Sequence, residues 1–313
     1  MAPTSPSSQP STTSLTVLHT GTVVIDEALP YHRDDDAPLA WTHALRGPEH
    51  LVTTPVSAYL IENAHGLTLI DTGWHPVNRT RAGQVANLRQ QYPVNKAVLP
   101  DGEALIEQLE DRGIRPRDLD LVLMSHLHCD HADGLRTIAE APRILVSAPE
   151  LEAARRDRLR YLQHELDGVE LETFGWNTMV GPYDAGYDVF GDGSLVMVTV
   201  PGHSRGLCAT ILRSADGVDP DAPDAPIGPS GRGTWVEGVD DPWIEDELRF
   251  VLLTSDVGYG RPSFEEGLRP GVVINADWAE RSLAWVREVE HDPRCLGLIA
   301  NHDPEVPAGT VLL

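Results

Sequence analysis

The sequence contains little lysine, little cysteine and no long apolar run. Lys96 is its only lysine, and 48 acidic residues against 24 lysines and arginines give the 313-residue chain a formal net charge of -24. Because phosphate backbones and anionic lipid surfaces attract basic proteins, this charge argues against nucleic acid and anionic membranes as partners. No apolar run approaches the roughly 20 residues that a membrane-spanning helix needs. The composition therefore predicts a protein that binds neither nucleic acid nor membrane.

The three cysteines, Cys129, Cys208 and Cys295, are far apart and odd in number. This argues against a disulfide framework and favours a reducing compartment. Residues 1–14 are rich in Ser, Thr and Pro, and they lack the basic start and apolar core of a secretory signal. We therefore expect a disordered lead-in over residues 1–14, a single domain over residues 15–313 and a cytoplasmic location.

Short apolar runs that end at polar or turn-forming residues predict buried strands. Such runs occupy residues 15–25, 56–61, 67–70, 119–124, 144–146, 195–200, 250–254 and 296–300. Helical patterns cover residues 101–112, 149–166 and 278–289, the first with Asp101 as a plausible N-cap. The arginines of the second helix are expected on a solvated face; they are Arg155, Arg156, Arg158 and Arg160.

Two segments have neither pattern. Residues 32–49 are polar and irregular, which predicts a long loop near an entrance. Residues 214–248 are rich in Asp, Pro and Gly with few apolar residues, which is typical of a surface insertion that is partly disordered or forms a lid.

The most informative stretch is Ser-His-Leu-His-Cys-Asp-His at residues 125–131, directly after an apolar run. It contains four potential metal ligands, and imidazole with carboxylate suits borderline divalent ions such as zinc. His126 and His128 can reach one ion if the loop turns between them, and Asp130 and His131 then face a second ion. We read Cys129, which alternates away from these ligands, as a packing residue.

Three further potential ligands follow later apolar runs: His203, Asp256 and His302. Because loops at strand ends gather in one crevice of a parallel sheet, we expect all these side chains to meet. A carboxylate can bridge two ions whereas an imidazole cannot, so Asp256 is the natural shared ligand. Two ions about 3.5–4 Å apart can hold a bridging hydroxide as the nucleophile.

The phrase Ser-His-Leu-His-Cys-Asp-His-Ala-Asp-Gly resembles the His-x-His-x-Asp-His signature of hydrolases with the metallo-β-lactamase fold. Pro-Gly-His-Ser-Arg-Gly, Thr-Ser-Asp-Val-Gly-Tyr and Asn-His-Asp follow in that family's order. The resemblance spans residues 15–313 and implies an α/β fold, the αββα four-layer sandwich. It also implies the ligand sets: His126, His128 and His203 for the first ion, Asp130, His131 and His302 for the second, and Asp256 between them.

Asp71-Thr72-Gly73 resembles the first motif of the same family, in which the aspartate orients the ligand loop. A plain turn residue or helix cap is the alternative for Asp71. Arg205 departs from the family, which more often has proline there, but this is a loop detail that does not threaten metal binding.

Asp-Val-Gly-Tyr at residues 256–259 narrows the resemblance to the N-acyl homoserine lactone hydrolases, the quorum-quenching enzymes. There a tyrosine at the position of Tyr259 hydrogen-bonds the lactone near the metals; a packing aromatic is the alternative. The resemblance implies a zinc-dependent lactonase, a carboxylic ester hydrolase, in which a metal-bridging hydroxide attacks the ring carbonyl. Asp130 would then collect the proton.

Other activities remain open on the same fold. Glyoxalase-II-like thioesterases and organophosphate hydrolases share the ligand set, so a small ester, thioester or phosphotriester is the alternative to a lactone. The β-lactamases of this fold lack a bridging carboxylate, which disfavours that activity, and redox di-iron relatives have glutamate in place of His128. Relatives of this fold are often dimeric, which makes a homodimer one option, but nothing in the sequence specifies an interface.

The acyl pocket is not readable from the sequence, and the candidate walls are residues 32–49, the region of Trp74 and residues 214–248. The other eight histidines lack a strand-end setting and are expected to be structural or on the surface; they are His19, His32, His43, His50, His65, His75, His164 and His291.

Overall fold

A computed structural model describes residues 13–213 and 249–313 of the chain. Its strands are β1 (Ser14–Asp26), β2 (Leu51–Asn63), β3 (Gly66–Ile70), β4 (Lys96–Val98), β5 (Leu121–Met124), β6 (Ile144–Ser147), β7 (Leu171–Phe174), β8 (Gly186–Asp188), β9 (Leu195–Thr199), β10 (Cys208–Arg213), β11 (Phe250–Leu253), β12 (Cys295–Ile299) and β13 (Gly309–Leu312). Its α-helices are α1 (Arg81–Leu88), α2 (Leu105–Asp111), α3 (Cys129–Ala132), α4 (Ala148–Arg156), α5 (Arg261–Glu266) and α6 (Ala276–Glu290).

These strands form two mixed sheets. The first has eight strands in the order β13-β1-β2-β3-β5-β6-β7, with β4 paired to β1, and the second has the order β12-β11-β10-β9-β8. Strands β3, β5, β6 and β7 run parallel, as do β11 and β12. Their carboxyl ends therefore lie at common edges, which is where the sequence has its histidines and aspartates.

Side-chain alternation explains how the two sheets pack. Along β5, Leu121 and Leu123 join a core cluster that also includes residues of β9, β10 and β11 in the second sheet. The neighbouring Val122 and Met124 point the other way, into a cluster with residues of α2 and α4. The outer face of the second sheet packs on α5 and α6 in the same manner. Helices, two sheets and helices thus form four layers, which confirms the predicted αββα fold.

The predicted strands and the hairpin of β2 and β3 are present. Strand β1 is irregular where Gly21 has a φ of +83°, and its register with β2 shifts between His19 and Thr22. Glycine adopts this positive φ without a steric penalty, which allows the irregularity at Gly21.

Helix α2 is shorter than predicted. It begins at Leu105 rather than near Asp101, and its N-cap is Ala104. The carboxylate of Glu107 accepts hydrogen bonds from the backbone N–H groups of Gly102 and Ala104, so the preceding residues form a turn instead. A side chain from inside the helix therefore binds the Ala104 N–H, one of the groups that an N-cap at Asp101 would have bound.

The second predicted helix is also too long. Helix α4 ends at Arg156, and a turn follows in which the Asp157 carboxylate accepts hydrogen bonds from the N–H groups of Leu159 and Arg160. Asp side chains commonly stabilise turns in this way, so the helix stops although the charged pattern continues.

Strand β1 already includes Ser14, the last residue of the expected lead-in. The rest of that segment, residues 1–12, and the expected insertion at residues 214–248 lie outside the described residues. Cys129, Cys208 and Cys295 are unpaired thiols, in agreement with the prediction of no disulfide framework. Within the described ranges, no helix has both the length and the apolar character to cross a membrane.

Candidate metal centre

Four strands deliver the predicted ligands to one place. The loop after β5 and the short helix α3 carry His126, His128, Asp130 and His131, all largely or fully buried. The loops after β9, β11 and β12 carry the other three, which are His203, Asp256 and His302. Because these strands, from both sheets, end at the same edge of the sandwich, residues nearly 180 positions apart meet there.

The ligand atoms fall into three groups, each with its atoms within 4.8 Å of one another. One group is His126, His128 and His203; another is Asp130, His131 and His302. A third joins His126 and His131 through Asp256. The structure therefore brings together all seven residues that the sequence selected, in two groups with Asp256 between them.

The Asp256 carboxylate presents one oxygen to each group. Its Oδ2 lies 3.4 Å from His203 Nε2 and 4.0 Å from His126 Nε2. Its Oδ1 lies 3.1 Å from His131 Nε2 and 3.4 Å from His302 Nε2. This is the arrangement that a carboxylate shared between two ions requires.

Several ring nitrogens are fixed from outside the centre. The Nδ1 atoms of His131, His203 and His302 lie 2.7–2.8 Å from the Asp71 carboxylate, the Val272 carbonyl and the Pro55 carbonyl respectively. Each contact sets the ring orientation and leaves Nε2 facing inward, as second partners of metal-binding histidines do. His128 differs, since its Nδ1 faces His203 Nε2 at 2.7 Å.

The inward atoms test whether ions fit this centre. Among the described residues, buried polar atoms without a hydrogen-bond partner include Nε2 of His126, His131 and His302 and Oδ1 of Asp256. Buried polar atoms nearly always have partners, and an ion is one explanation for a cluster that lacks them. Imidazole nitrogens and carboxylate oxygens are also a suitable donor set for divalent ions. The residues therefore suit a dinuclear metal site.

Burial and the charges of neighbouring residues shift the pKa values of groups in the centre. Burial and the neighbouring His131 hold the pKa of His126 well below its usual value, which keeps that ring neutral and able to bind a cation. Burial works to raise the pKa of Asp256, but His131 and His302 outweigh it and hold that pKa well below its ordinary value. Asp256 is therefore an anion between two groups of histidines at neutral pH.

Asp71 orients the ligand loop. Its carboxylate accepts hydrogen bonds from the backbone N–H and hydroxyl of Ser125 and lies 2.8 Å from His131 Nδ1. Asp71 is fully buried and has a φ of +59°, a strained conformation for a residue other than glycine. Its hydrogen bonds confirm the orienting role over that of a plain turn residue.

Tyr259 lies against the shared carboxylate. Its hydroxyl donates a hydrogen bond of 2.5 Å to Asp256 Oδ2, and its ring stacks on that of His302 at 4.7 Å. Burial, followed by the charge of Asp256, raises the pKa of Tyr259 well above its usual value. The phenol is therefore a protonated donor at neutral pH.

A cavity of about 260 Å³ opens onto this centre. Its inner end is formed by the centre itself and by Tyr259; the residues of the centre there are His128, Asp130, His203 and Asp256. Its outer walls are largely apolar and include Leu29, Trp41, Leu159 and Val272. The cavity can therefore hold a small molecule with one polar end at the centre and an apolar portion along the walls.

The residues that line the cavity agree only in part with those expected from the sequence. Trp41 and Thr42 line the cavity, so the loop at residues 32–49 does lie near an entrance. Trp74 does not line it; it is fully buried and donates a hydrogen bond to the Thr22 carbonyl. The expectation that Trp74 lines the pocket was therefore wrong, because its indole packs into a core cluster with residues of β1.

From the sequence, one residue near the centre was placed incorrectly and another was not identified. Arg160 was expected on a solvated face, but it lines the cavity and donates a hydrogen bond to the Val273 carbonyl. The helix ends before it, so its direction does not follow the helical pattern. Glu150 is fully buried and bonds two ligand loops, and no sequence signal separated it from the exposed Glu152 on the same helix.

The Pro-Gly-His turn gives a stability prediction. Gly202 has a φ of +144°, and a Cβ there would lie 2.4 Å from the backbone nitrogen of Ala279. Gly309 has a φ of +141° but nothing within 4 Å of such a Cβ. We expect Gly202→Ala to lower the free energy of unfolding by about 1–3 kcal/mol more than Gly309→Ala, because only the first is overpacked. Denaturant unfolding of both variants measures this difference, and equal losses would contradict the clash.

Two packed sheets, flanked by helices and carrying at their edge a cluster of histidines and aspartates suited to a dinuclear metal site, are typical of a class of metallohydrolases. The sequence family model of the metallo-beta-lactamase superfamily matches residues 51–209, about half of the chain. The chain belongs to the metallo-beta-lactamase superfamily.

Similar proteins carry a more specific name. An N-acyl homoserine lactonase from Bacillus sp is 30% identical over 245 residues, covering 77% of this chain and 79% of that protein. The N-acyl homoserine lactonase AttM of Rhizobium radiobacter is 25% identical over 261 residues, covering 80% and 82%. A solved N-acyl homoserine lactone hydrolase with N-hexanoyl-L-homoserine at its catalytic metal centre has a TM-score of 0.66 at 21% identity, over 93% and 94% of the two chains. That last likeness bears on the fold alone.

Proposed function

We propose that this chain is a dinuclear metal-dependent hydrolase that opens lactone rings, with N-acyl homoserine lactones as its substrates. The observation that carries the proposal is the Asp256 carboxylate, which faces one histidine group with each oxygen and accepts the Tyr259 hydroxyl at the end of an apolar cavity. The similar proteins named N-acyl homoserine lactonase support the choice of substrate class.

The proposed ligands follow the two groups in the structure. The first ion would be held by His126, His128 and His203, the second by Asp130, His131 and His302, with Asp256 shared. Zinc is the proposed metal, because it accepts imidazole and carboxylate ligands readily. When bound, such ions polarise a substrate carbonyl and lower the pKa of bound water to about 7.

The roles of the chain's own groups follow from their positions. Tyr259, protonated and at the inner end of the cavity, can turn from Asp256 to donate to the oxygen that gains charge as the ring opens. Asp130 lines the same end of the cavity, 3.5 Å from His302 Nε2, and can carry the proton to the leaving ring oxygen. Leu29, Trp41 and Val272 offer an apolar surface for the acyl chain.

The direct test is a substrate panel with zinc-loaded protein. N-acyl homoserine lactones with short and long acyl chains are compared with simple γ- and δ-lactones, a thioester and a phosphotriester. We expect the acyl-homoserine lactones to open much faster than the rest, and we expect turnover to vanish with a chelator and return with zinc. Turnover of only the thioester or phosphotriester would overturn the lactonase proposal while keeping the metal centre.

A further inference from the structure

A buried carboxylate outside the ligand set joins two loops of the metal centre. Glu150, near the start of α4, is fully buried. Its Oε1 accepts a hydrogen bond from the backbone N–H of Leu127 at 3.1 Å. Its Oε2 accepts two more at 2.8 Å, from the hydroxyl of Ser204 and the backbone N–H of Gly206. One side chain thus binds two segments that are nearly 80 residues apart.

All three donors belong to loops that carry the first group of ligands. Leu127 lies between His126 and His128, and Ser204 directly follows His203. These three histidines are the members of that group. Any movement of the Glu150 carboxylate would therefore be transmitted to the loops that place them.

The close packing around Gly206 fixes this contact further. A Cβ at Gly206 would lie 2.2 Å from the Ser147 hydroxyl and 2.4 Å from the backbone nitrogen of Glu150, so only glycine lets the loop approach the helix. The Ser147 hydroxyl also donates a hydrogen bond of 2.8 Å to the Gly206 carbonyl. The loop at Gly206 is therefore bound to the start of α4 through both its backbone N–H and its carbonyl.

The hydrogen bonds that Glu150 accepts offset part of the free-energy cost of burying its negative charge. Burial raises the pKa of Glu150, while the bonds from Gly206, Ser204 and Leu127 favour its ionised form. Tyr161 packs beside the same centre, with its ring 5.2 Å from that of His128. A carboxylate kept in such a costly place, hydrogen-bonded to Tyr161 and to residues next to His126, His128 and His203, is suited to positioning those three histidines.

We propose that Glu150 is a positioning residue for the first metal site, the one formed by His126, His128 and His203. Its removal weakens binding of that ion and spares the ion at the second group. This inference rests on the dinuclear centre of the proposed function, but it does not depend on the identity of the substrate.

The test compares Glu150→Gln with Glu152→Gln, the same change at an exposed position of the same helix. Zinc-loaded proteins are titrated with a chelator at fixed pH, and the zinc retained per chain is measured without substrate. Loss of such a supporting partner typically weakens metal affinity about 10- to 100-fold. We expect Glu150→Gln to release one ion at correspondingly lower chelator and to keep the other, whereas Glu152→Gln should match the unmodified protein.

A double-variant comparison identifies the ion that is lost. On a His302→Ala background, which weakens the second group, adding Glu150→Gln should release the remaining ion. On a His203→Ala background, which weakens the first group, it should release nothing more. Equal loosening of both ions, or a reversed pattern, would overturn the assignment.

A milder variant covers the case in which Glu150→Gln does not fold. Ser204→Ala removes one of the three donors and should loosen the same ion by a smaller factor; no shift in either ion would overturn the proposal.

The experiments also distinguish failure of the proposed function from failure of the positioning role. If the protein holds two ions and opens no lactone, the proposed substrate class falls, whereas selective loss of one ion in Glu150→Gln would still support the positioning role.

Discussion

Replacing Asp256 with asparagine is expected to lower lactone turnover by about 10³-fold, because several kcal/mol of transition-state stabilisation depend on both ions. The amide keeps the shape of the carboxylate, but it is neutral and can offer only one oxygen to the two histidine groups. Metal content should therefore fall below two ions per chain. Steady-state kinetics on an acyl-homoserine lactone, with zinc measured on the same sample, checks both outcomes.

Asp188→Asn is the matched control for that experiment. Asp188 is also a buried aspartate, but it accepts hydrogen bonds from Gly191 and Gly193 and lies outside the three groups of ligand atoms. It should keep both ions and most of the activity. Undiminished turnover in Asp256→Asn would refute a shared carboxylate as the basis of the mechanism.

Tyr259→Phe is expected to lower kcat by about 10²-fold while metal content stays near two ions per chain. The substitution removes one hydroxyl from a buried site, and loss of a single donor to a developing oxyanion has an effect of this order. The ring remains, so its stacking on His302 at 4.7 Å should persist. Kinetics and zinc content together separate the loss of a donor from damage to the centre.

Tyr183→Phe provides the comparison for Tyr259. Tyr183 donates a hydrogen bond to the Trp278 carbonyl and is absent from the lining of the cavity, so its removal should leave kcat unchanged. If Tyr259→Phe turned over lactones at the original rate, Tyr259 would be a packing residue only. If it also lost zinc, its hydrogen bond to Asp256 would have a structural role in the centre.

Local sequence patterns predicted the strands correctly and selected the candidate ligands that the structure brings together. The loop at residues 125–131 could be read because its ligands are close in the chain and follow an apolar strand, β5. Asp256 and His302 could be found because each also follows a strand end. Helix boundaries were harder, since Glu107 and Asp157 form hydrogen bonds that end or shift a helix without changing its apolar pattern.

Distant contacts are the part that the sequence could not supply. Glu150 and Glu152 are both glutamates in one helix, yet only Glu150 is buried, because the loop at Gly206 packs against that face. Arg160 reads as one more charged residue, but the end of α4 directs it to the cavity. Burial and direction depend on segments that lie far away in the chain.

By itself the sequence determined which side chains are available for metal binding and that they follow strand ends, because side-chain chemistry and apolar runs are local properties. Only the tertiary structure decided that each oxygen of Asp256 faces a different histidine group, that Tyr259 donates to it, and that Glu150 joins two ligand loops. Those relations are distances between residues on different strands and helices. They exist only once both sheets and their helices have packed around one core.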